Sequence, residues 1–285
     1  MRRVALLSDI HANLEAFEAV LRDVDAQKPD LCVVLGDTIN YGPDPRRCIE
    51  LVEQHTDLVL MGNHEKEVAF PEPDELEGDA RAMAEWTASA LEGLDAWEKW
   101  KRDLAQRQDD CSRARLDGLL FVHASARKPR VQYVWPGHPN HHLHLNDQLD
   151  LYLDDILSHF DATHSFCGHT HAPAVLTGYG ARDMFPISHD WNRRLTFVGP
   201  RVIFFVPSGE LTIEGLSGRK CIINPGSVGQ PRDRDPRASW ALYDGDTITF
   251  RRVEYDHATT AAKVRALPLR DDVREYFASR LSRGE

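Results

Sequence analysis

Short apolar runs alternate with helix-period stretches along the first quarter of the chain. Residues 4–8 form an apolar run of strand length, as expected of a strand buried on both faces. Leu14, Phe17, Leu21 and Val24 then recur at spacings of three and four, which predicts a helix capped by Asn13 and ended at Pro29-Asp30. Residues 31–35 repeat the strand pattern, residues 46–55 the helix pattern with Ile49 and Val52 inward, and residues 58–61 give a third strand. This alternation predicts an α/β sheet with parallel strands. Each predicted strand runs directly into a polar motif: Asp9-Ile10-His11, Gly36-Asp37, and Gly62-Asn63-His64-Glu65. Ligands of such sheets collect beyond the carboxyl ends of the strands, where all three motifs fall.

The pattern changes after Glu65. A stretch rich in Glu, Ala, Trp and Leu predicts two or more helices up to about residue 108, a helical insertion spanning about residues 66–117. Strand character returns at 118–123 and at 163–167, ending in His123 and in Gly168-His169-Thr170-His171, with a helix predicted between them at 149–160. Residues 127–145 are irregular and rich in Pro and His. Further strands are predicted at 174–176, 202–206, 211–214, 221–224, 239–243 and 247–253. Asp244-Gly245 joins the last two as a hairpin. Two helices at 259–266 and 271–281 close the chain, within a tail of about residues 258–285. At 285 residues, one large domain is expected rather than two equal ones.

Composition narrows the function classes. Lys and Arg number 34 against 45 Asp and Glu, a net charge of −11 that repels nucleic-acid backbones, so no stable nucleic-acid binding is expected. No apolar run reaches the length of a membrane span, and the apolar start is read as a first core strand rather than a signal peptide. Cys32, Cys48, Cys111, Cys167 and Cys221 are odd in number and lack zinc-finger spacing, which points to reduced thiols and a cytoplasmic location.

The motifs carry the chemistry jointly. Asp9 and His11, two apart in an extended segment, would point to one side and grip one cation. Asp37, at the next strand end, reads alone as a turn or cap residue and in company as a bridge between two ions. The Asn63 carbonyl oxygen suits a site already rich in charge, and His64 beside it can donate a proton. Gly168 lets the backbone turn so that His169 and His171 address two adjacent metals. His123, taken alone, reads as a packed core histidine.

In this order the motifs resemble the calcineurin-like metallophosphoesterase superfamily, whose pattern is D-x-H, G-D, G-N-H-[DE], H and G-H-x-H. The compact bacterial and archaeal phosphodiesterase-like branch is the most similar, through residues 8–13, 36–43 and the Asn224-Pro225-Gly226 to Arg232 segment. The resemblance covers about the first 65 residues and then roughly 118–245. It implies a four-layer αββα sandwich, two mixed β-sheets back to back with helices outside and a dimetal site at the strand ends. It implies one metal on Asp9, His11 and His171, a second on Asn63, His123 and His169, and Asp37 bridging both. Mn, Fe or Mg and the borderline Zn or Ni all suit such a mixed donor set. The ions would share a hydroxide that attacks a small phosphate ester, while His64 stabilises the transition state or protonates the leaving oxygen.

Departures from the family pattern bear on the substrate. Protein Ser/Thr phosphatases of the superfamily carry G-D-x-x-D-R, where this chain has Asn40 and Tyr41, and an Arg where it has Met61. Two phosphate-gripping arginines and the Asp that orients the catalytic His are therefore absent. Arg232 or Arg237 would supply positive charge, or both belong to a solvated charge run. Asn40 is the second candidate substrate contact. His138, His141, His142 and His144 border the cleft or bind metal, and Tyr133 and Trp135 stack on substrate or pack internally. Besides a small mono- or diesterase, the same fold supports a non-catalytic protein-binding scaffold or a Ser/Thr phosphatase.

Overall fold

The computed structural model describes residues 2–72, 77–135, 147–184 and 197–285. The first strand, β1 (Val4–Leu7), pairs in parallel with β2 (Leu31–Val34), and β2 with β3 (Leu58–Val59). On its other side β1 runs antiparallel to β12 (Ala238–Tyr243), which is followed by β13 (Ile248–Val253) and β10 (Leu211–Ile213). Among the described residues, the second sheet has seven strands in the order β4 (Arg113–Leu116), β5 (Leu119–Val122), β6 (His164–Phe166), β11 (Cys221–Pro225), β7 (Pro173–Gly178), β9 (Val202–Phe205) and β8 (Phe197–Val198). Both sheets are mixed: β1, β2 and β3 form a parallel triplet ending at one edge of the first, and β5, β6 and β11 a parallel triplet inside the second.

Period-two alternation builds the layers. Val4 and Leu6 turn inward to a core shared with Phe121, Phe166 and Ile223 of the second sheet. Ala5 and Leu7 turn outward to α1 (Leu14–Gln27), α2 (Pro45–His55) and α5 (Asp95–Arg107) through Phe17, Ile49 and Trp100. On the far side, α6 (Asp147–Ser158) covers the second sheet through Leu149, Leu153 and Ile156. The four-layer α/β sandwich with two mixed sheets is thus observed. Each fully buried Leu or Phe contributes about 1.5–3 kcal/mol.

Local differences from the sequence pattern have identifiable causes. The third strand is two residues long, not four. Leu60 N–H still bonds Val34 O at 2.9 Å, but Met61 N–H turns away to Cys111 O at 3.0 Å. The helical run after Glu65 resolves into α3 (Asn63–Ala69), α4 (Gly78–Ala90) and α5, and ends before 113. Residues 113–116 are instead β4, joined to β5 by Asp117-Gly118, both with positive φ (52° and 79°), a two-residue hairpin turn. The closing helices α7 (His257–Arg265) and α8 (Asp271–Leu281) form a small core with Met83 of α4 through Val264, Phe277 and Leu281. Tyr41 packs on that core. Among the described residues, no helix is long and apolar enough to cross a membrane. The histidines at 138, 141, 142 and 144 lie outside the described residues.

Candidate metal centre

The polar motifs meet at the carboxyl ends of β1, β2, β5 and β6. Their backbone there is not extended. Asp9, His11, Asp37, His169 and His171 all have positive φ, from 48° to 67°. A non-glycine residue in this region costs on the order of 1 kcal/mol. Asp9 and His11 therefore share a side through left-handed turns, not through the alternation of a strand. Gly168 serves differently from the expected turn: the turn is made by His169, and a Cβ at Gly168 would lie 1.8 Å from Ser8 Oγ. Gly62 is equally confined, since a Cβ there would lie 2.0 Å from Asp37 Oδ1.

Six of the seven expected ligands are buried, and Asn63 is partly so. Two groups of donor atoms form, one from Asp9, His11, Asp37 and His171, the other from Asp37, His123 and His169, each within 4.8 Å. Asn63 joins the second group, its Oδ1 3.1 Å from His123 Nε2. Asp37 belongs to both, with Oδ2 3.3 Å from His123 Nε2 and 3.9 Å from His11 Nε2. His64 Nε2 also lies 3.9 Å from this oxygen.

The donor set fits cations. His11 Nδ1 faces Ile39 O (3.2 Å) and His171 Nδ1 faces Gln230 O (2.7 Å). A carbonyl only accepts, so each Nδ1 carries the proton and each neutral ring presents a lone pair at Nε2. Those two Nε2 atoms lie 3.0 Å apart. Two lone pairs at that distance repel unless a cation lies between them and the Asp9 and Asp37 carboxylates. Asp37 Oδ2 and His169 Nε2 are also buried and make no hydrogen bond among the described residues. Such atoms are costly to leave unsatisfied and suit metal coordination.

Electrostatics divide this donor set. Burial holds His11 and His171 well below the usual histidine range, and His169 is lowered to about 3 by burial and by His123. These rings are neutral and each has a lone pair to offer a cation. Burial opposes charge on His123, yet the Asp37 carboxylate outweighs it and raises the ring to about 9. Burial likewise pushes Asp37 up, but His123 and His64 hold it well below the usual carboxylate range. Asp9 is raised, mainly by burial. His64 is raised because Asp37 and Glu67 outweigh its burial, which favours a ring able to donate.

Several supporting residues carried no role in the sequence. Glu65 accepts from the N–H groups of Gly62, Asp37 and Thr38 at 2.6, 3.0 and 2.7 Å, pinning the second motif to the third. Asn224 donates to Gly168 O and Thr170 Oγ1 (2.7 and 2.8 Å), and Ser227 Oγ donates to Asp9 O (2.8 Å). The Asn-Pro-Gly segment is thus a brace for the histidine turn. The Tyr133 ring stacks on His169 at 4.1 Å, whereas Trp135 packs edge-on against Phe204. Arg232 is partly buried beside the cluster: its N–H bonds His171 O (3.0 Å), its Nη2 bonds Gln230 Oε1 (2.7 Å) and its charge depresses His171. Arg237 instead pairs with Asp235 at 2.7 Å. Asn40 faces His64, not the open cleft, with Nδ2 3.0 Å from His64 Nδ1.

Comparison with known proteins agrees. Residues 2–173 match the family described as calcineurin-like phosphoesterase. An uncharacterized protein of Methanocaldococcus jannaschii is 28% identical over 99% of this chain and 98% of its own length. The solved metallophosphoesterase from Sphaerobacter thermophilus is 30% identical, covers 100% of this chain and 99% of its own, and superposes with a TM-score of 0.74. A hypothetical protein from Pyrococcus horikoshii, at 19% identity, shares the fold over 99% of this chain and 98% of its own with a TM-score of 0.67. A buried Asp/His cluster at the strand ends, on this sandwich and in this motif order, accompanies those matches: the chain belongs to the calcineurin-like phosphoesterase family.

Proposed function

We propose that this chain is a dinuclear metal phosphoesterase that hydrolyses a small phosphate mono- or diester, with nucleotide-derived esters among its candidates. The observation that carries the proposal is the Asp37 carboxylate common to two donor clusters, with an oxygen that makes no hydrogen bond. Asp9, His11 and His171 would hold one ion, Asn63, His123 and His169 the other, and Asp37 both. Two such ions, from among Mn, Fe, Zn, Ni and Mg, supply Lewis-acid activation of water and neutralise charge at phosphorus. His64 acts at the edge of the pair, stabilising the developing charge or protonating the leaving oxygen. Arg232 contributes positive charge beside the ions.

A small substrate is favoured over a phosphoprotein because Tyr41 and Met61 stand where Ser/Thr phosphatases have arginines. The net charge of −11 disfavours nucleic-acid duplexes. Five free, buried cysteines support residence in the reducing cytoplasm. Purified protein loaded with Mn²⁺ should hydrolyse an activated aryl phosphate ester. Undiminished activity in Asp37→Ala or His64→Ala would contradict the assigned roles, and a chain that binds no metal and turns over no ester would favour the scaffold reading.

A further inference from the structure

We propose that Glu67 is a positioning residue for both halves of the reaction centre, one carboxylate that fixes the Asn63 amide and the His64 ring together. The inference rests on the phosphoesterase reading and extends it to a residue outside the family motif. Glu67 lies on α3 four residues after Asn63 and three after His64, so all three share one face of the helix. An acidic residue there is ordinarily solvated. This one has a side chain only 15% exposed.

Its two oxygens are used separately. Oε1 accepts from Asn63 Nδ2 at 3.0 Å. That bond sets which way the amide is turned, so Asn63 Oδ1 is the atom presented to His123 Nε2 and to the second donor cluster. Oε2 is buried, makes no hydrogen bond among the described residues, and faces His64 Nδ1 at 3.1 Å. Asn40 Nδ2 lies 3.0 Å from the same nitrogen. Asn40 cannot turn its oxygen there, because Oδ1 accepts the Tyr41 N–H at 2.9 Å. The Nδ1 edge of the ring is thus held between the Asn40 amide and the Glu67 carboxylate. The chain has Asn where related phosphatases have an Asp at position 40. The negative charge beside the histidine comes here from the helix that carries the histidine itself.

The test uses the full chain titrated with Mn²⁺, comparing wild type, Glu67→Gln and Glu67→Ala. Bound Mn²⁺ per chain is measured first, then kcat and KM over aryl phosphates from nitrophenyl to unsubstituted phenyl. Gln keeps an oxygen for Asn63 and removes the charge beside His64. Glu67→Gln should therefore retain both ions and an unchanged KM, and lose kcat more steeply on phenyl than on nitrophenyl phosphate, by about 10-fold. Glu67→Ala should also bind the second ion about 10–100-fold more weakly.

Wild-type Mn²⁺ binding in Glu67→Ala together with an unchanged leaving-group dependence in Glu67→Gln overturns the proposal. If wild-type protein turns over none of the esters, the phosphoesterase reading falls, and the Mn²⁺ titration still decides the role at Asn63. If circular dichroism shows Glu67→Ala unfolded, the isosteric Gln variant decides: an unchanged leaving-group slope overturns the role at His64.

Discussion

The two halves of the proposed metal centre are built by different means. In the half made by Asp9, His11 and His171, the main chain does the holding. Both imidazoles are anchored through Nδ1 to carbonyls of Ile39 and Gln230, and the Asp9 and His11 N–H groups bond Gly36 O and Asp37 O, each at 3.0 Å. In the half made by Asn63, His123 and His169, side chains do more of it. Among the described residues, only His123 of these is tied through its ring to a carbonyl, Leu35 O at 2.9 Å. Asn63 depends on Glu67, and the His169 ring is stacked on Tyr133. The first half is therefore the more rigid, and the second is the one that single substitutions can loosen. Since supporting partners of metal ligands alter affinity by about 10–100-fold, the second ion should be the weaker and more exchangeable.

The largest expected effect removes the distinction altogether. Asp37→Ala takes the shared ligand from both halves, and turnover should vanish with one bound ion or fewer remaining, as measured by elemental analysis. His64→Gln should spare both halves. Both ions stay while kcat falls by roughly 10²–10⁴-fold, and a variant that instead lost metal would show His64 to be a ligand.

A chelator titration separates the halves directly. One ion should leave before the other, with Asn63→Ala hastening the first departure only. The loaded protein should be more stable than the stripped one, by about 2.7 kcal/mol at a hundredfold excess of metal over Kd, read as a rise in Tm. The smallest effect tests the stack. Tyr133→Leu forfeits about 0.5–1.5 kcal/mol of ring–ring contact, so the second ion should weaken by up to about tenfold with the first unchanged. Equal weakening of both would erase the proposed asymmetry.

The clustering of Asp9, His11, Asp37, His123, His169 and His171 was legible in the sequence, because each closes or follows an apolar run at a strand end. The strands that carry them were legible for the same reason: β1, β2 and β5 are buried on both faces and read as unbroken apolar runs. What escaped was conformational or relational. The left-handed backbone at Asp9 and His11 leaves no trace in a sequence without glycine at those positions. Strand β4, Arg-Ala-Arg-Leu, lies at a sheet edge with alternate residues exposed and lacks an apolar run. Glu67 looked like any acid on a helix. Its burial depends on how α3 docks, and no local pattern encodes that.

The proposed reaction stands or falls on a shared pair of cations. The most direct measurement is anomalous diffraction from crystals grown with Mn²⁺. Two peaks ~3.5–4 Å apart are expected, one among Asp9, His11 and His171, the other among Asn63, His123 and His169, with Asp37 between them. A single peak, or ions bound away from Asp37, would contradict the proposal.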